Sequence, residues 1–390
     1  MKLQRIAFAA FLAGRVYAAN FSQTISGIPE LSNMSTYISQ NTALQSMFDT
    51  PSNVTILAPD NAAFGDLVQV QPNGSVPLSN SSLINGILQY HILKGIFNTS
   101  NFTNTSQFIP TLLNDPTFTN VTSGQVVRAV QRDNTVHCIS GLNQDAQFVG
   151  QSHSYDNGVI HIINQVLTLP QTVTFTAFEA NLSSFLGAAT QGNNIDAVNL
   201  PKNITVFIPT NEGFRRVGTV FSNAPAGDVS RILSYHVVRD NVIYSVGMHN
   251  QTVPTEAGKD LTLSVINGTA FVNSARIVST DLLVNNGVVH VISDVLNPDN
   301  TTVVSSPSVI PQPVAFAGAS SVSTDPFTSG QPSPTSTVTL LPASPIGATT
   351  TTTSHSTTST STPTMGAAPI ETVNVGVAAL MGLGAALINV

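Results

Sequence analysis

The sequence predicts an α+β fold used twice: two tandem domains, each with helices packed on an antiparallel β-sheet system, followed by a disordered stalk. Three observations carry this. Three sequence blocks recur in the same order in both halves of the first 298 residues. Within each half, helical apolar spacing comes first and two-residue hairpin signals come later, the order of an α+β unit. Beyond residue 298 the composition shifts to Ser, Thr, Pro and Ala.

The first block reads NVTILAPDNAAF at residues 53–64 and NITVFIPTNEGF at 203–214. Each opens on a short β-branched run bounded by proline, the pattern of a buried strand. Asp60 and Thr210 then stand where a helix N-cap belongs, and Phe64 and Phe214 point from the first turn into the core. The second block, LQYHIL at 88–93 and LSYHVV at 233–238, contains the pairs Tyr90-His91 and Tyr235-His236. The third, NGVIHIINQVL at 157–167 and NGVVHVISDVL at 286–296, contains His161 and His290. Asn267-Gly268 sits between two apolar runs as a hairpin turn, because both central residues need positive φ. The Asn-Gly pairs at 157–158 and 286–287 are read as opening each last strand in the same way. In the second copy Phe178, Leu182, Phe185, Leu186 and Ala189 recur at helical spacing and form one apolar stripe. The copies meet near Pro170, giving domains at 20–168 and 170–298.

Both ends carry addresses. Lys2 and Arg5, the apolar run 6–14 and a small-residue site ending at Ala18 read as a signal peptide over 1–18, interrupted by Arg15. Residues 299–365 cannot bury enough apolar area to offset their chain entropy and read as an O-glycosylated stalk. Over 366–390, three small residues from Gly366, a spacer and an apolar tail form a GPI-attachment signal, with Gly366 the expected attachment residue. The expected location is therefore extracellular, at the outer leaflet of the plasma membrane through a lipid anchor, or in the cell wall.

Composition narrows the function classes. Charged residues are only 8%, against about 25% in an ordinary soluble protein. A net charge of -7 with 13 Lys plus Arg and no basic run excludes a nucleic-acid partner. Glycans can supply the missing hydration. Asn-x-Ser/Thr acceptors occur at Asn20, Asn33, Asn53, Asn73, Asn80, Asn98, Asn101, Asn104, Asn120, Asn181, Asn203, Asn250, Asn267 and Asn300. Cys138 stands alone, so no internal disulfide supports the domains, and it is read as a buried, inert thiol.

These blocks resemble the fasciclin-like domain: a strand, a proline, then Asn and Phe; a central Tyr-His pair; and a closing Asn-Gly followed by a β-branched run containing His. The resemblance covers about residues 20–298, and the whole layout is similar to tandem-domain, GPI-anchored cell-surface proteins of fungal type. It implies adhesion or organisation of wall and matrix, with a wall or matrix polysaccharide or a cell-surface protein as partner. It implies no catalytic chemistry.

The residues themselves agree. His91 with His161, and His236 with His290, recur as pairs, but a zinc site needs a third or fourth ligand and no carboxylate or cysteine recurs beside them. The five Glu have no acid–base setting for glycoside hydrolysis, and neither a Gly-x-Ser-x-Gly elbow nor a Gly-rich phosphate loop is present. No catalytic, metal or cofactor residue is therefore assigned. Tyr90, His91, His161, Tyr235, His236 and His290 are expected as structural or binding residues of the motif. Two alternatives remain: a wall-modifying, glycan-active enzyme, or a small-ligand-binding surface protein with a deep apolar pocket.

Overall fold

The computed structural model describes residues 19–69, 81–301, 304–334, 338–343 and 345–346. The signal segment, Asn73, Asn80, Gly366 and the rest of 366–390 lie outside the described residues.

Each half builds one seven-stranded sheet. In domain 1 the strands are β1 (Val54–Pro59), β2 (Ile92–Lys94), β3 (Gln107–Pro110), β4 (Val126–Arg132), β5 (Thr135–Ile139), β6 (Asp145–Tyr155) and β7 (Gly158–Ile163), in the spatial order β2-β1-β7-β6-β5-β4-β3. Domain 2 repeats this with β8 (Ile204–Pro209), β9 (Val237–Val238), β10 (Gln251–Pro254), β11 (Asp260–Ile266), β12 (Thr269–Val272), β13 (Ala275–Val284) and β14 (Gly287–Ile292). Its order is β10-β11-β12-β13-β14-β8-β9. Helices precede and follow the first strand of each copy, and hairpins fill the rest.

The sheets are mixed where the sequence suggested antiparallel throughout. The first and last strands of each domain, β1 with β7 and β8 with β14, pair in parallel. Almost the whole domain lies between them, so no tight turn forces them antiparallel. All four are buried along their length, which is why they read as continuous apolar runs rather than alternating ones.

Local details follow the sequence closely. Asp60 Oδ1 accepts from Ala63 N at 2.9 Å and Thr210 Oγ1 from Gly213 N at 3.0 Å, the predicted N-caps. Phe64 and Phe214 are buried beneath them. Asn267 and Gly268 both take positive φ, and Asp133-Asn134 makes the same turn in domain 1. Cys138 lies in the core, and burial pushes its thiol pKa up. Strand register puts Val272 at the same place in domain 2, so the thiol substitutes for an aliphatic side chain.

Two local readings change. The stripe from Phe178 to Ala189 belongs to two helices, Val173–Glu179 and Ser183–Gln191, because Asn181 adopts φ 55° between them. The Asn-Gly pairs of the third block open the last strands as read, β7 and β14 beginning at Gly158 and Gly287, but each two-residue turn sits one position earlier, at Asp156-Asn157 and Asn285-Asn286. From these turns Asn157 and Asn286 donate to carbonyls that precede the first strand, Asp49 O at 2.8 Å and Val198 O at 3.0 Å. A Cβ on Gly158 or Gly287 would collide with the backbone of Val54 or Ile204, so these glycines let the parallel strands approach.

The region read as a stalk contains no helix or strand among its described residues. It is nevertheless seated on domain 2 rather than free. Val314, Phe316, Phe327, Val338 and Leu340 pack against the helical side of the core. Phe327 meets Phe221 at 5.2 Å between ring centroids, and Arg215 reaches Asp325 at 3.1 Å. Farther on, Ala343 N donates to Val278 O and Ile346 N to Gly268 O. A Ser/Thr/Pro-rich composition hid a few well-spaced apolar residues with a groove to occupy.

Candidate functional site

The Tyr-His pairs act as internal fasteners. Tyr90 donates to Val126 O at 2.8 Å and Tyr235 to Asp260 O at 2.8 Å, each tying a helix end to the same position of the hairpin sheet. His91 Nδ1 bonds Ile87 O at 2.8 Å while its Nε2 accepts from Leu167 N at 2.9 Å. His236 repeats this with Ile232 O and Leu296 N. A carbonyl partner demands a donor and an amide partner an acceptor, so both rings are neutral Nδ1–H tautomers. Burial drives their pKa values down to about 4.

The second histidine of each copy sits elsewhere, with different partners. His161 Nε2 donates to Phe97 O at 2.7 Å, and its Nδ1 accepts from Ser152 Oγ at 2.8 Å. His290 Nε2 donates to Ile243 O at 2.8 Å, and its Nδ1 accepts from the Asp281 amide at 3.3 Å. Burial lowers both pKa values. The sequence pairs His91–His161 and His236–His290 therefore share no hydrogen-bond partner. Each ring has both nitrogens occupied, leaving no lone pair for a metal.

Ser152 and Asp281 lie on bulges of β6 and β13, where the ladder to the last strand skips register. Counting back from the resumed pairing makes them equivalent positions. The surrounding groups match as well: Thr99 Oγ1 lies 3.1 Å from Ser152 Oγ, and Ser245 donates to Asp281 through its backbone N (2.8 Å) and its hydroxyl (2.5 Å).

What faces the two bulges differs. In domain 2 it is domain 1. Arg128 of β4, almost fully buried, places Nη1 3.9 Å from Asp281 Oδ2, and its Nε donates to Ser106 Oγ. Phe108 of β3 stacks on Tyr244 with ring centroids 4.1 Å apart. Gln125 Nε2 donates to Val284 O at 3.0 Å, and Asn120 N to Asn285 O at 2.7 Å. In domain 1 the same place is an open cleft of about 150 Å³ between the Asp133-Asn134 turn, the bulge and Thr99. Its lining includes Asn134, Thr135, Gln151, Ser152 and Phe148, whose ring stacks on His161 at 4.3 Å. No residue of the lining carries a formal charge. That volume is well short of the roughly 300 Å³ needed to enclose a whole drug-sized ligand, and the deep apolar pocket of the small-ligand reading is not what this cleft offers.

Ser152 and His161 stand at nucleophile–base distance, a contact the sequence did not signal. The orienting group on the far nitrogen is a carbonyl, where the triad arrangement uses a carboxylate. Sequence reading also missed Arg128, Asp281, Phe108 and Tyr244, because each lies outside the recurring blocks. Their signal was difference rather than repetition: the two copies disagree at these positions.

Among the described residues, the expected glycan acceptors fall on the surface. Asn33, Asn53, Asn98, Asn101, Asn104, Asn181, Asn250 and Asn267 are exposed, and Asn20, Asn120, Asn203 and Asn300 half-buried. Asn203 bonds Thr122 across the domain boundary.

Comparison with known proteins gives a consistent result. The Fasciclin domain profile matches residues 29–170 and again 180–298. A fasciclin-like arabinogalactan protein of Arthroderma benhamiae is 49% identical over 332 residues, 85% of this chain and 79% of that protein. Another, from Phaeosphaeria nodorum, is 28% identical over 75% of this chain and 93% of its own length. Among solved structures, a FAS1 domain pair from the insect cell adhesion molecule fasciclin I aligns over 70% of this chain and 99% of its own, at 20% identity and a TM-score of 0.33.

Proposed function

Because this chain belongs to the Fasciclin domain family, we propose that it is a cell-surface adhesion glycoprotein that organises wall or matrix through two coupled modules. The observation that carries this reading is the fate of the shared motif. Tyr90, His91, His161 and their counterparts are consumed in holding the fold, so contact with a partner falls to the outer surface. Relatives named as fasciclin-like arabinogalactan proteins support the glycoprotein character. A signal peptide, N-glycans at the exposed acceptors and a lipid anchor near Gly366 complete the proposal. Wall or matrix polysaccharide, or a cell-surface protein, is the partner. Many anchored copies would turn weak contacts into firm attachment through effective concentration.

Attachment of cells with and without the protein to immobilised wall polysaccharide tests the reading. Reduced attachment in its absence is expected; equal attachment on every surface overturns it. A phospholipase that cuts lipid anchors should release the protein from intact cells. The Ser152–His161 contact is the one observation favouring a wall-modifying enzyme. Ser152→Ala should leave glycan and ester hydrolysis at background, and any activity lost with that substitution would favour the enzyme instead.

A further inference from the structure

Three replacements convert the domain 1 cleft from a protein-docking surface into something else. The domain 2 counterpart is covered on one rim by Phe108 and Arg128 and on the other by the tail, whose residues Pro345 and Ile346 pass over Gly268. Asn98 and Tyr244 each precede the matching 3-10 turn, Thr99–Asn101 and Ser245–Gly247, and strand register places Ser152 where domain 2 has Asp281 and Asn134 where it has Gly268. The first change removes the aromatic stacking partner, and the second removes the carboxylate that receives the arginine. The third puts a side chain in the path that the tail follows. Each change deletes a contact to protein and adds a neutral hydrogen-bonding group.

The hydroxyl chain defines what can bind. Phe97 O takes the proton of His161 Nε2, so Nδ1 is a bare acceptor and Ser152 must donate to it. Ser152 Oγ then accepts from Thr99, whose proton is spent inward. Thr99 Oγ1 is left facing the cleft with lone pairs only, so it accepts from a ligand hydroxyl. Asn134 and Gln151 provide amides that donate and accept, and Phe148, stacked on His161, adds an apolar ring to the lining.

We infer that this cleft is a subsite for one ring of a neutral saccharide. This rests on the adhesion reading above and names its contact point. Two sources offer the same chemistry: an external wall glycan, or the chain's own N-glycan on Asn98, the residue beside Thr99 in an Asn-Thr-Ser acceptor.

The experiment is saturation-transfer NMR on the secreted full-length protein, with laminaripentaose, mannopentaose and chitopentaose as probes, before and after enzymatic trimming of N-glycans. At least one probe should receive saturation from the trimmed protein. Ser152→Asp and Thr135→Val, each checked for an unchanged circular dichroism spectrum, should weaken that binding about tenfold through a lost or mismatched hydrogen bond. Thr262→Ala, on the outer edge of domain 2, should leave it unchanged. Transfer to both forms assigns an external glycan; transfer only after trimming assigns the Asn98 sugar. No transfer to either form overturns the inference, as does full binding by Ser152→Asp, or capture of a peptide of residues 338–346 in place of every saccharide. Should cells bearing Ser152→Asp attach normally while the probe is lost, the subsite stands and its part in adhesion falls.

Discussion

His91 reaches 76 residues along the chain to the Leu167 amide, and His236 reaches 60 to Leu296. Each fixes the segment leaving the last strand against the helix that precedes the second. Removing such a ring strands a buried amide and a buried carbonyl. His91→Ala should therefore cost about 3 kcal/mol, read as a shift in the urea midpoint of domain 1. The pH dependence has a definite sign. Both folded pKa values are about 4, against an unfolded value near 6.5. Between these values the unfolded chain binds the extra protons, so stability is whole above about pH 6.5 and declines as pH falls towards 4. The limit is roughly 3 kcal/mol per histidine. Unfolding midpoints across that range should trace this slope, and His91→Gln with His236→Gln should flatten it. The histidines themselves were legible as repeats. Their role was not, because every partner is a main-chain group brought near only by folding.

At the scale of elements, strands and caps were plain in the sequence. Val54–Pro59 and Ile204–Pro209 bury every residue, and Asp60 and Thr210 cap the following helices as their chemistry predicts. The third-block glycines were legible as glycines but not in their purpose, since close approach of a parallel strand depends on a distant partner, Val54 for Gly158 and Ile204 for Gly287. The tail was the least legible element. Phe327, Val338 and Leu340 are diluted among Ser, Thr and Pro, and only the groove on domain 2 gives them meaning. A chain ending at residue 298 should melt below one ending at residue 346, because Phe214 and Phe221 lose cover. Phe327→Ala in the longer chain should cost about 2 kcal/mol by loss of aromatic packing. Equal melting temperatures for the two chains would show the tail to be a passive spacer.

The molecule as a whole is an asymmetric pair. The edge carrying Phe108 and Arg128 meets the cleft carrying Tyr244 and Asp281, whereas the outer edge of domain 2 carries Thr252 and Thr262 at the matching positions. The repeats thus form one interface inside the chain, and the matching positions on the two outer faces carry different residues. Arg128→Ala leaves Asp281 buried without its cation and should cost about 3 kcal/mol, separating one calorimetric transition into two. None of this was readable from repetition, since it lives in the positions where the copies diverge. The most direct check is a set of backbone residual dipolar couplings from the secreted protein, measured in both domains. A single alignment tensor should fit both domains of the natural sequence, and two tensors should be required for Arg128→Ala; two independent tensors in the natural protein would contradict the coupled pair.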